Sequence, residues 1–432
     1  HCRDLGEIMS RLPSFKARFA RQAKAFLLTL AILCGGATVV SAADSNGNID
    51  TTWGGGGLFD TQVFSPTTAY GSKIIPLAND KTLHLVTLGA GSNEFGFGLF
   101  QLTASGALDT SFSSDGWIKQ DRTVGSTTLY GLAPKAFKVM QDGSIVVVGN
   151  FYDNTSSPIR VGLFTAKYDS TGAPAAGFGS AGIVLADYYT QTGNANWLSF
   201  APVISIAASG KIYAFYGTNG EYVLRLNADG TPDLTFGTNG RYLGLYFASP
   251  LFSNASVRVK AFTVDETANP ITATFFGVDM NSNPTKSSAV MYRLKFGSGT
   301  SGGNSLAELD TTYAGTTVLG GAQSSTSGYA RAEIPAFGMS VKEVAFSAGG
   351  FAYIVAGVPY STTNYLIAMD TSQRRPYTSF GTNAVLDVTS LSMTSLAAVE
   401  VISSGPDKIM LAGQDNATYK MMVAKYDQGT GA

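Results

Sequence analysis

A single phrase, repeated in register, leaves few folds open to this chain. Asn227–Gly240 reads N-A-D-G-T-P-D-L-T-F-G-T-N-G, and related stretches recur around one aromatic anchor: Trp53, Phe112, Phe178, Phe236, Tyr313 and Phe380. Three residues before the anchor stand Asp50, Asp109, Asp233 and Asp310, with Ala175 and Tyr377 departing. Six before it stand Gly47, Gly106, Gly172 and Gly230, against Ala307 and Arg374. Four after it stand Gly57, Gly116, Gly182 and Gly240, against Thr317 and Ala384. Glycine supplies the positive φ that tight turns require. Aspartate accepts N–H bonds from two or so residues on, which fixes a bend. The aromatic is expected to be a buried plug that seats the turn on the core. These are constructional roles, and tandem copies point to a repeat architecture.

The segments between the phrases read as strands. In the second unit these are Ala136–Gln141, Ile145–Asn150, Gly162–Asp169 and Gly182–Asp187; in the third, Val203–Ala207, Lys211–Tyr216, Glu221–Leu226 and Gly240–Leu245. Each is short, apolar and bounded by turn residues. No long segment carries a helical period. Charged residues are only 14% of the chain while it holds 50 glycines, a balance that suits short strands and tight turns rather than helical bundles. Each unit is therefore a four-stranded blade, strands A to D, with the phrase as its C–D turn. The expected fold is all-β, a β-propeller of six four-stranded blades.

The pattern DG-x-I-x-V-x-G…F-x-x-x-K-Y-D-x-x-G-x-x-D-x-x-F-G-x-x-G, best seen over Asp142–Gly182 and Gly210–Gly240, resembles the delta-60 repeat of exported bacterial proteins. The resemblance covers most of the chain beyond residue 42. It implies a repetitive β-fold and export and carries no catalytic set. The last unit supplies strands at Leu396–Ile402, Lys408–Gly413 and Met421–Tyr426. Gly57–Gln62 is expected to add its fourth strand, closing the ring and removing two exposed sheet edges. The rivals are an open stack or a seventh blade.

The N-terminus reads as a leader. A basic stretch at Arg18, Arg21 and Lys24 precedes the apolar run Ala25–Val40, and Ser41, Ala42 and Ala43 offer a small-residue cleavage site. Residues 1–42 are thus expected to be a signal peptide, with 1–8 outside the native start, and 43–432 a single propeller domain. The apolar run is shorter than the roughly 20 residues of a spanning helix, so no membrane span is expected after cleavage. Both cysteines, Cys2 and Cys34, fall in the leader, which leaves the domain no disulfide and no thiolate chemistry. Without the leader, 23 Lys and Arg stand against 28 Asp and Glu, a net charge of about −5, and nothing resembles a nucleic-acid footprint. Asp44, Asn46, Asn48 and Asp50 have the look of a calcium loop. They lack the later Glu and flanking helices of an EF-hand, and calcium is not expected.

Function is expected on the long connections. In an up-and-down meander the A–B and C–D turns share one face, and the B–C and D–A loops share the other. Arg122–Pro134, Tyr188–Ser199, Ala248–Ser256 and Ala322–Gly338 are the expected D–A loops, and Phe151–Arg160 and Asp279–Ser287 the B–C loops. Rigid scaffolds carry function on such loops. Tyr188, Tyr189 and Trp197, with Tyr329 and Arg331, are the candidate ligand-binding residues, suited to a polysaccharide or a protein. No catalytic set emerges: His84 is the sole histidine beyond the leader and sits in a strand pattern. The expected function is an exported, non-enzymatic binding propeller. A hydrolase, lyase or lactonase at the central channel, or a strand-exchanging assembly, are the alternatives.

Overall fold

The computed structural model describes residues 64, 68–90, 93–155, 159–191, 202–216, 222–243, 257–283, 286–301, 303–313, 318–319, 329–358, 361–391, 398–402, 408–414 and 421–427. The chain divides into His1–Asp50 and Thr51–Ala432, and all described residues belong to the second unit. The leader, the calcium-loop candidates, Asp50, Trp53 and Gly57–Gln62 lie outside the described residues.

The second unit is built from antiparallel meanders. The first sheet comprises Thr68–Pro76, Thr82–Ala90, Asn93–Leu102 and Trp117–Gln120. The second comprises Gly131–Val139, Ile145–Asp153, Ile159–Tyr168 and Ile183–Gln191, and the third Val203–Ile206, Ile212–Tyr216, Tyr222–Leu226 and Arg241–Leu243. The fourth begins Val257–Asp265, Thr272–Asn283 and Lys286–Lys295, and Tyr329–Ile334 pairs beside its third strand. The fifth runs Ser340–Phe346, Phe351–Gly357 and Asn364–Asp370, with Arg375–Pro376 and Val385–Asp387 both on its third strand. The sixth has Ala398–Ile402, Lys408–Gln414 and Met421–Asp427. The chain is an all-β propeller. Its blade count differs from expectation. Five sheets carry four or more strands; the sixth has three among the described residues.

Several expected loops are shorter than the sequence implied, because the ladders run on through polar residues that satisfy their backbone groups in the sheet. Asn283 pairs with Lys286, so most of Asp279–Ser287 belongs to two paired strands. The loop expected over Ala322–Gly338 contains Tyr329–Ile334, which is the fourth strand of the fourth sheet.

The core is a series of layers between neighbouring sheets. Val147, Phe151 and Phe164 pack toward Leu85, Phe97 and Phe112 of the first sheet. The alternate residues Val146, Val148 and Leu163 pack toward Ile204, Ile212 and Leu224 of the third. Period-2 alternation thus feeds two layers from each strand. Similar layers join the third sheet to the fourth, the fourth to the fifth and the fifth to the sixth.

The repeated phrase clasps one blade to the next. Gly172, at φ +85, lies so close to the Phe112 ring of the preceding blade that a β-carbon would sit 2.9 Å from it. Gly230, at φ +84, lies likewise against Phe178 and Val184, at 2.8 and 2.6 Å. Backbone bonds accompany the contact: Ser113 N donates to Thr171 O at 2.7 Å, and Gly179 N to Asp229 O at 3.1 Å.

Candidate functional site

The aspartates of the phrase are buried and fully engaged. Asp233 accepts from Thr235 N (3.0 Å) and Thr235 Oγ1 (2.6 Å) on one oxygen and from Lys211 Nζ (2.6 Å) on the other. Arg225 Nε lies 2.9 Å from the same carboxylate as an ion pair, with its guanidinium 4.5 Å from the Phe236 ring centre. Asp109 repeats the arrangement with Ser111, Lys81 and Gln101, and Asp310 with Thr312 and Arg293. Burial alone would raise these acids, but the donated hydrogen bonds outweigh it and hold them below the usual carboxylate range. The anchors Phe112, Phe178, Phe236, Tyr313 and Phe380 are all buried. This is the constructional role expected for the phrase.

The clasp is altered between the fourth and fifth blades. Where the second and third units have glycine facing the preceding anchor, the fifth has Arg374, and it keeps the left-handed conformation, φ +59. The Arg374 guanidinium stands over the Tyr313 ring, 5.3 Å from its centre, and donates to Tyr313 O at 3.2 Å. Arg293 lies 4.6 Å from the same ring centre. Beside it lies a cavity of about 370 Å³. Its walls include Thr263, Thr274, Thr371, Phe346, Arg293 and Arg374. Phe346 is 37% exposed and packs edge-on against Phe276. Asp265, also on the wall, is held below the usual carboxylate range by hydrogen bonds from Thr267. Burial raises the Tyr313 phenol. The cavity offers hydroxyls, two guanidiniums, the Asp265 carboxylate and an exposed ring edge, a lining able to hold a polar ligand by stacking and hydrogen bonds.

The cavity opens among A–B and C–D turns, not on the long-loop face. Among the predicted ligand residues, Tyr188 and Tyr189 belong to strand Ile183–Gln191, opposite Gly162 and Val161, rather than to a loop. Trp197 lies outside the described residues. Tyr329 is 6% exposed and packs in the layer between the third and fourth sheets, so its ring is core. Arg331 is held in the same strand, donating to Ser288 Oγ at 2.8 Å. His84 stacks on Phe100 at 4.4 Å and bonds Thr82 Oγ1 at 2.8 Å, and burial pushes its pKa down to about 4. The residues missed from sequence are Arg374, Phe346 and Arg293. A signal for Arg374 was present, as the departure from glycine six residues before Phe380.

A family model described as "Domain of unknown function (DUF5122) beta-propeller" matches residues 207–236, which end on the phrase's anchor Phe236. No curated protein matches the chain. Among solved structures, the chain is similar to a protein of unknown function from Bacteroides caccae (7% identity, 81% of this chain and 92% of that one, TM-score 0.36). It is also similar to the Dos1 propeller (8% identity, 84% and 71%, TM-score 0.39). A third is a GH43_1 enzyme from Xanthomonas citri complexed with xylose (7% identity, 86% and 92%, TM-score 0.31). At scores this low the likenesses carry no argument about what this chain does.

Proposed function

We propose that this chain is an exported, non-enzymatic propeller that binds a polysaccharide in the cavity between its fourth and fifth blades. Arg374 carries the reading. A non-glycine residue in the left-handed region costs about 1–2 kcal/mol, and such outliers concentrate at functional sites. At this position the other blades carry Gly106, Gly172, Gly230 or the small Ala307, whereas the fifth keeps a left-handed arginine at a cost where it lines an open cavity. Hydroxyls and the edge of Phe346 complete a surface that suits a sugar ring, and the volume is small for a folded protein segment.

The proposal includes a six-bladed ring in which Gly57–Gln62 completes the sixth sheet. Two observations support it. Met421–Asp427 has no fourth partner among the described residues. The first sheet also buries a second apolar face at Val86, Leu88 and Phe100, against Phe64. Failure to close would leave an edge available for strand exchange. A catalytic channel would want acids or a histidine at the inner strands; the groups that converge there are mainly lysines.

A glycan array probed with the wild type and Arg374→Gly tests the binding reading. Glycine relieves the left-handed strain, so the variant keeps its fold. A glycan retained by the wild type and lost by the variant is expected. Equal retention, no glycan hit, or a hit only on peptide probes overturns the reading.

A further inference from the structure

The inner strands of the blades share a device that the cavity does not use. Successive inner strands lie in contact from the first sheet to the sixth. Four of them contain a β-bulge: between Tyr70 and Lys73, Pro134 and Ala136, Val259 and Ala261, and Val341 and Glu343. In three of these the extra residue is a lysine, Lys135, Lys260 or Lys342, and in the first Lys73 follows directly. Bulges re-aim side chains and gather beside functional sites. The neighbouring strand makes room for them. A β-carbon on Gly149 would lie 2.1 Å from Ala133 O, and one on Gly277 2.2 Å from Arg258 O. One on Gly357 would lie 3.2 Å from Lys342 Cε. A glycine on the second strand of each of these three blades thus lies beside the lysine bulge on the first.

These lysines converge. Lys73 Nζ lies 3.1 Å from Glu343 Oε2, joining the inner strands of the first and fifth sheets directly. Lys135, Lys260 and Lys342 occupy equivalent bulges of the inner strands, and Lys342 is the residue next to Glu343. Elsewhere lysines are matched to acids: Lys81 with Asp109, Lys211 with Asp233, Lys286 with Glu333. Among the described residues, Lys138, Lys260 and Lys342 have no such ion pair. Burial depresses the pKa of all three, outweighing the nearby Glu343 carboxylate that raises Lys138 and Lys260. Lys138, three residues on from Lys135 in the same inner strand, is exposed. The concentration of cations is local, since the whole chain has a formal net charge of −1.

We propose that Lys73, Lys135, Lys138, Lys260 and Lys342 form an oxyanion-binding centre at the inner edges of the blades. Ammonium groups act there as point charges, and a focused field of one sign raises the local concentration of its counter-ion. The ligand is a phosphate, sulfate or carboxylate group, free or borne by a narrow acidic glycan. The centre is separate from the Arg374 cavity, and the two readings stand or fall independently.

Isothermal titration calorimetry of the full chain at pH 7 and low salt provides the test, with inorganic phosphate, inorganic sulfate and a tetramer of galacturonic acid as probes. The wild type is expected to bind at least one, and Lys260→Met/Lys342→Met to weaken that binding at least tenfold. The double variant should also melt higher than the wild type without anion, because two crowded charges are gone, which certifies its fold. Lys138→Met, at an exposed position, is a second variant with the same expected direction. Tighter binding of the tetramer than of the inorganic ions identifies a glycan-borne group; the reverse identifies a free ion. No binding by the wild type, or equal binding by wild type and variants, overturns the proposal.

Discussion

Replacing Gly230 by alanine asks whether the repeated phrase truly clasps one blade to the next. Two penalties combine at this position. The residue has φ +84, and a β-carbon in the left-handed region costs about 1–2 kcal/mol. The new methyl would also lie 2.6 Å from Val184 Cγ2 and 2.8 Å from the Phe178 ring, both in the preceding blade. Overpacking of that kind costs about 1–3 kcal/mol. Gly230→Ala is therefore expected to lose about 2–5 kcal/mol. Gly177 is the internal control. It has φ +76 and nothing within 4 Å of an added β-carbon, so Gly177→Ala should lose only the backbone part, about 1–2 kcal/mol. Urea unfolding followed by far-UV circular dichroism measures both. Adding Val184→Ala to Gly230→Ala removes one colliding methyl and should recover part of the loss beyond additivity. Equal losses for the two glycines, with no recovery in the double variant, would refute an inter-blade clasp.

Further outcomes follow from the charges. Asp233→Ala leaves Arg225, nearly inaccessible to solvent, without its carboxylate and should cost about 3–5 kcal/mol in the same urea assay. Asp109, Asp233 and Asp310 have depressed folded pKa values, so their contribution is complete above the unfolded value of 3.8 and is lost as pH falls below it; acid titration should show unfolding there. His84, lowered from 6.5 to about 4, binds fewer protons folded than unfolded in that window, so stability should fall as pH drops through it, and His84→Gln should flatten the slope. Lys138, Lys260 and Lys342 are depressed below 10.5. With Lys73, Lys135 and Glu343 as their charged neighbours, stability should rise and sulfate affinity fall as pH climbs from neutrality. Those measurements belong below pH 10, where the buried Tyr168 phenol does not yet oppose the trend.

The strand pattern was legible because local rules and tertiary packing agree in it. Val146 and Val147 alternate between two inter-blade layers, and the ladder Ile145–Asp153 begins where apolar content and turn residues placed it. The fourth blade was misread because its outer strand, Tyr329–Ile334, lies far from the Tyr313 turn in sequence, and no local signal announces so distant a partner. Tyr329 looked like an exposed aromatic for that reason alone. The cavity was hidden by a different cause. Arg374 departs visibly from glycine, but only the retained φ and the cavity beside it show what that departure accompanies. The lysine centre was hidden by averaging, since net charge sums over the chain while the bulges gather residues far apart in sequence.

Recovery of a bound glycan tests the central claim, binding without turnover, most directly. The wild type and Arg374→Gly are dialysed to equilibrium against a glycan selected on the array, and the retained material is analysed by mass spectrometry. The account predicts that the wild type holds the glycan and returns it at unchanged mass, while the variant retains none above background. Cleaved or unsaturated products in the wild-type chamber, or equal retention by both proteins, would contradict it.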